Sequence, residues 1–150
     1  MSRLQTGMRL TLERQVMANP APGFLKDPDR EIQLEAGNRN VRVKFGGEWI
    51  AESNEAMVMR ETGHLPVYYF PLKDIRFELL HSTPHTTYCP YKGKATYWTI
   101  RVGDRESENA VWGYPDPYDE MTKIGLQNYC AFYRDRVDHW YEDNGNNKGV

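Results

Sequence analysis

From Val41 onward apolar and polar residues alternate: Val41, Val43 and Phe45 stand between Asn40, Arg42 and Lys44, and Gly46-Gly47 turns the chain into Glu48-Trp49-Ile50-Ala51. A period of two sends successive side chains to opposite faces, so this stretch predicts a hairpin with one wet face. Similar short runs occupy 56–60, 67–70, 86–89, 95–102, 110–114, 128–134 and 137–142. Gly63, Pro66, Pro90, Gly93, Gly103 and Pro115-Asp116-Pro117 separate most of them. Short strands divided by such breakers predict a mainly β, antiparallel domain.

Two segments carry helical spacing instead. Leu72, Ile75 and Leu79 follow Pro71, a residue suited to a first helical turn, and predict a short helix over 71–80. Met121 and Ile124 predict another over 118–126. Leu4, Met8, Leu12 and Val16 stand four apart with Arg3, Arg9 and Arg14 between them, which suits a weak amphipathic helix or a loosely attached arm. Met17 opens a second plausible beginning, and the prolines after it favour an extended path. The organisation expected is an arm over 1–21, one β domain over 22–143 and a frayed tail over 144–150.

Composition narrows the class. A chain of 150 residues suits one core, and 39% hydrophobic with 27% charged residues describes a polar but foldable protein. Nineteen basic against 21 acidic residues give a net charge of −2, which lacks the concentrated basic surface that nucleic acid or an anionic membrane requires. No apolar run approaches the roughly 18 residues of a membrane-spanning helix, and no secretory signal is evident, so the expected location is cytoplasmic. Cys89 and Cys130 are too few for a disulfide framework. Four Trp, ten Tyr and five Phe in so short a chain suit a β core or a stacking pocket.

The chain lacks a Walker phosphate loop, a G-x-G-x-x-G turn, an H-E-x-x-H helix and a G-x-S-x-G elbow. Asp27-Pro28-Asp29 has a metal-dyad spacing, but in a proline-broken segment. The densest chemistry lies between His81 and Trp98. His81, His85 and Cys89, four apart, are potential zinc ligands, yet no second ligand pair closes a tetrahedron, and no metal is assigned. Cys89 is alternatively a nucleophile with His85 as base and Lys92 lowering its pKa, or a buried inert thiol. Lys92-Gly93 offers a point charge beside a backbone a ligand can approach, or is a solvated turn. Glu61, just before an aromatic strand, is a candidate acid or base with a raised pKa, or half of a surface pair with Arg60. Trp98, Trp112, Tyr68, Tyr97 and Tyr114 form either a cage for a flat or cationic ligand or simply core.

Several motifs in this order, Arg60-Glu61-Thr62-Gly63, Pro66-Val67-Tyr68-Tyr69-Phe70-Pro71, Cys89-Pro90-Tyr91-Lys92-Gly93 and Trp112-Gly113-Tyr114-Pro115-Asp116-Pro117, resemble the bacterial and fungal domain-of-unknown-function family 427. Ile50-Ala51-Glu52-Ser53 and Ala95-Thr96-Tyr97-Trp98 add to the match, which spans about residues 22–142. The resemblance implies a β-tent-like domain similar to methionine sulfoxide reductase B and Yippee. It does not bring a zinc, because the paired C-x-x-C motifs of zinc-bearing β-tents are absent. The family has been labelled nucleotidyltransferase-like, whereas this chain has neither a phosphate loop nor a Gly-Ser plus paired-Asp signature. The resemblance also implies that Glu61, Tyr68, Cys89, Lys92, Tyr97, Trp112 and Tyr114 cluster at a pocket.

Three functions follow from these residues. The first is a domain that binds a small molecule, with Trp112, Tyr114, Tyr97 and Tyr68 stacking and Lys92 with Glu61 anchoring. The second is an enzyme with Cys89, His85 and Glu61 as catalytic groups. The third is an interaction module docking a partner through residues 1–30 or a sheet edge. No cofactor is indicated.

Overall fold

The computed structural model describes residues 18–144. The expected N-terminal helix or arm lies mostly outside them, as does nearly all of the expected tail. A single helical turn, α1 (Gly23–Lys26), precedes β1 (Ile32–Ala36), β2 (Arg39–Phe45), β3 (Glu48–Ser53), β4 (Met57–Glu61) and β5 (Val67–Pro71). The chain continues through β6 (Leu80–Cys89), β7 (Gly93–Val102), β8 (Arg105–Gly113), α2 (Asp119–Lys123), β9 (Tyr129–Phe132) and β10 (His139–Asn144). The protein is mainly β. Every strand pair is antiparallel, in a seven-stranded sheet ordered β1-β4-β5-β9-β8-β7-β6 and a three-stranded sheet ordered β10-β2-β3.

The predicted hairpin is β2–β3. Gly46 and Gly47 take φ of +60° and +80°, the left-handed pair that matches a tight turn to the twist of its strands. Between Val43 and Lys44 the register shifts. That bulge explains why Ile50 and Ala51, neighbours on β3, are both buried where strict alternation would expose one. A second irregularity, between Trp98 and Ile100, sets Asn109 of β8 at φ +50° and likewise buries Ala110 and Val111 together.

The large sheet separates two apolar clusters, one on each face. Along β9, Cys130 and Phe132 join Val41, Val43, Phe45, Ile50 and Phe70 beneath the small sheet. Tyr129 and Ala131 join Met59, Tyr69, Tyr97, Tyr114, Met121 and Leu126 on the other side. Strands buried on both faces read as apolar runs, which is why 67–70 and 129–132 lack polar residues at alternate positions.

The helix predicted over 71–80 does not form. Two 3₁₀ turns, Leu72–Asp74 and Phe77–Leu79, stand in its place. Between them Ile75 bridges Ala51, and the Arg76 amide donates to the Ile50 carbonyl at 2.8 Å, so pairing with β3 takes backbone groups a helix would use internally. The second predicted helix is real but shorter. Gly125 at φ +81° ends α2, and a 3₁₀ turn, Leu126–Asn128, completes the segment. β1 has no counterpart among the predicted strands. Asn19 and Ala21 are already tied to the domain, their amides donating to Asp119 and Glu120 at 2.7 and 2.8 Å.

Candidate functional site

On the sheet face away from the small sheet lies a pocket of about 530 Å³. Strand alternation builds its wall: Met59 on β4, Val67 and Tyr69 on β5, Tyr97 on β7 and Trp112 on β8. Tyr114 and Tyr133, just beyond β8 and β9, complete the aromatic side. The Trp112 and Tyr133 rings lie 4.5 Å apart, and Tyr69 meets Trp112 edge-on at 6.3 Å. The β4–β5 loop forms a lip carrying His64 and the fully outward Leu65.

The opposite end is charged. Glu61 closes β4 with its side chain only 8% exposed, and its carboxylate receives Lys92 Nζ on Oε1 at 2.5 Å and Arg30 Nη2 on Oε2 at 2.5 Å. Arg30 Nε also donates to Oε2, at 3.2 Å. Burial pushes the Glu61 carboxyl up, but the bonds from Lys92 and Arg30 outweigh it and hold the group below the usual carboxylate range. The expectation of a raised pKa is therefore overturned, as is its alternative, because Arg60 pairs with Glu35. Glu61 is a standing anion rather than a poised acid.

Lys92 belongs to the Pro90-Tyr91-Lys92 turn between β6 and β7. Gly93, at φ +113°, closes that turn; a side chain there would be strained whatever the space around it. Tyr91 anchors the turn: Gly23 lies so close to its ring that a Cβ there would come within 2.6 Å, and the Arg30 guanidinium sits 4.4 Å above its centroid. The Gly23 amide donates to the Pro90 carbonyl at 2.9 Å. One tyrosine thus positions both cations that face Glu61.

The structure brings Glu61, Lys92, Tyr97, Trp112 and Tyr114 to the pocket. Tyr68 is not there. It points to the other face of β5, tilted against Trp140 at 6.2 Å, and Trp98 likewise packs on Phe77. Alternation alone separates Tyr68 from Tyr69. Burial pushes the Tyr69 hydroxyl far up, which the bond to Trp112 only partly opposes. Burial does the same to Tyr114. Tyr97 shares a 2.8 Å hydrogen bond with Thr87, whereas the Tyr114 hydroxyl has no hydrogen bond among the described residues.

Cys89 packs at the margin of the same aromatic cluster. Among the described residues no hydrogen bond joins it to His85, whose ring rests against Tyr97 at 4.5 Å, and Lys92 donates to Glu61 rather than to Cys89. A register jump between Ser82 and Thr86 sets His81 apart, opposite Thr99, from Cys89, opposite Gly93. Among the described residues no three His, Cys, Asp or Glu side chains, Asp27 and Asp29 included, are grouped to hold a metal ion. Cys130 is buried, its thiol pushed up to about 12 by desolvation, and so is inert. No helix among the described residues is long and apolar enough to cross a membrane.

Sequence reading missed Arg30, Tyr69 and Tyr133. Tyr69 was recoverable, since alternation that places Tyr68 on one face places its neighbour on the other. Arg30 stands 31 positions from Glu61 and carried no local signal.

The model of the domain of unknown function family DUF427 matches residues 33–143, well over half of the chain, and the chain belongs to that family. No curated protein matches it significantly.

Proposed function

We propose that this member of the DUF427 family binds a small planar organic molecule in the aromatic pocket. The observation that carries the reading is the pocket's make-up: about 530 Å³, with Trp112, Tyr97, Tyr133 and Tyr114 on one side and one charged group of residues at the other end. That volume falls within the roughly 300–1,000 Å³ range of small-molecule sites, and a few polar groups set in apolar walls are what fix a ligand's orientation. Flat ring faces favour flat partners, because offset stacking adds to simple burial.

Native mass spectrometry of the purified protein, followed by saturation-transfer NMR with planar heterocycles, tests this. An organic adduct, or heterocycle binding that weakens at least tenfold in Tyr133→Ala, is expected. Tyr133 stands at the edge of the wall and is half-buried, and circular dichroism checks that the variant keeps its fold. A bare wild-type mass together with no heterocycle contacting the protein would end the proposal.

A further inference from the structure

The polar end of the pocket carries excess charge. Arg30 and Lys92, whose side chains are 19% and 12% exposed, supply two positive charges against the one negative charge of Glu61. His64 stands at the rim of this group, its Nε2 2.9 Å from Arg30 Nη2 and 3.8 Å from Glu61 Oε2. Asp27 acts on Arg30 only at longer range and forms no ion pair with it among the described residues; like Arg30 itself, it lies outside the pocket lining. One positive charge therefore stays uncompensated in a sheltered setting, where an unpaired charge is costly.

Donors stand where a ligand would reach them. The Lys92 ammonium has three N–H groups, of which one is given to Glu61, and the residue lines the pocket. Tyr114, whose hydroxyl has no hydrogen bond among the described residues, lines the same pocket. Glu61, which lines the pocket beside Lys92, holds the ammonium at 2.5 Å and so pre-orients it before a ligand arrives.

We infer that the pocket's ligand is an aromatic monocarboxylate, its ring against Trp112 and Tyr133 and its carboxylate on Lys92 Nζ and the Tyr114 hydroxyl. The inference rests on the binding function proposed above and names its substrate class. Charge decides the anion: one carboxylate neutralises the excess, whereas a phosphate monoester, at about −1.5 to −2 near neutral pH, overshoots it. A cationic ligand meets Lys92 head-on, so the cage expected from the rings alone does not select for cations.

Calorimetric titration with 2-naphthoate, 2-naphthamide and 2-naphthyl phosphate, one ring with three head groups, decides the matter. The carboxylate is expected to bind at least tenfold more tightly than either of the others. Lys92→Met should abolish that preference and Lys92→Arg should keep most of it, each checked for folding by circular dichroism. If Lys92→Met does not fold, Tyr114→Phe replaces it, and the carboxylate's advantage over the amide is expected to narrow severalfold. Equal binding of acid and amide would overturn the inference while leaving the pocket in place, and tighter binding of the phosphate would overturn the choice of carboxylate. Failure of all three ligands to bind the wild type would overturn the inference as well, while the binding function stands or falls by the heterocycle screen described above.

Discussion

Among the described residues, Glu61 and Asp138 are the two carboxylates held below their ordinary range, by different means. Glu61 is sheltered and faces two cations. Asp138 receives Arg105 through two bonds, at 2.6 and 3.0 Å, and the Gly46 amide at 2.7 Å, which together bring it to about 2. A carboxylate depressed in the folded state contributes stability that is complete above its unfolded value and is lost as pH falls through its folded value. With unfolded values of about 4, stability to urea should be level above roughly pH 5 and fall between about pH 4 and 2. Asp138→Asn should cost about 1 kcal/mol at pH 7, since the Arg105 pair is largely solvated, and should make the acid decline shallower. A variant with an unchanged acid profile would show that Asp138 contributes nothing to it.

Among the elements, the β6–β7 turn matters most to the pocket, because it sets where Lys92 stands. Its position depends on α1, a single turn remote in sequence, through the contact of Gly23 with the Tyr91 ring. Gly23→Ala places a methyl within 2.6 Å of that ring, so the ring and the turn must shift. The expected result is a loss of about 1–3 kcal/mol, as for other overpacking substitutions, together with weaker 2-naphthoate binding. Binding equal to wild type would show that the turn holds Lys92 without Tyr91. Much of this layer was legible in the chain. The Gly46-Gly47 hairpin and most strand positions followed from alternation and breakers, while the 71–80 helix failed because backbone pairing with β3 outcompetes helical spacing in so short a segment.

At the scale of the molecule, the large sheet keeps two cores apart and gives the pocket a rigid floor. Phe70 is fully buried beneath the small sheet, edge-on to Phe132 at 5.3 Å and to Trp140 at 5.8 Å. Its neighbour Tyr69 lines the pocket on the reverse face. Phe70→Ala should cost about 3–5 kcal/mol, a large part of the roughly 5–15 kcal/mol that stabilises a domain of this size. Urea denaturation measures it, and a loss below about 1 kcal/mol would mean the two sheets do not close over Phe70.

The sequence by itself determined the mainly β class and the family, and it named Glu61, Lys92, Tyr97, Trp112 and Tyr114, which the structure brings to one pocket, because periodicity and motifs are local and survive in one dimension. Only the tertiary structure decided which aromatics share a face, since Tyr68 and Tyr69 differ by one position and end in opposite cores. It alone turned Glu61 from a candidate acid into a fixed anion. Its cations come from a turn and a loop, each 31 positions away, and the electrostatics of a site follow distances in space, which spacing along a chain does not encode.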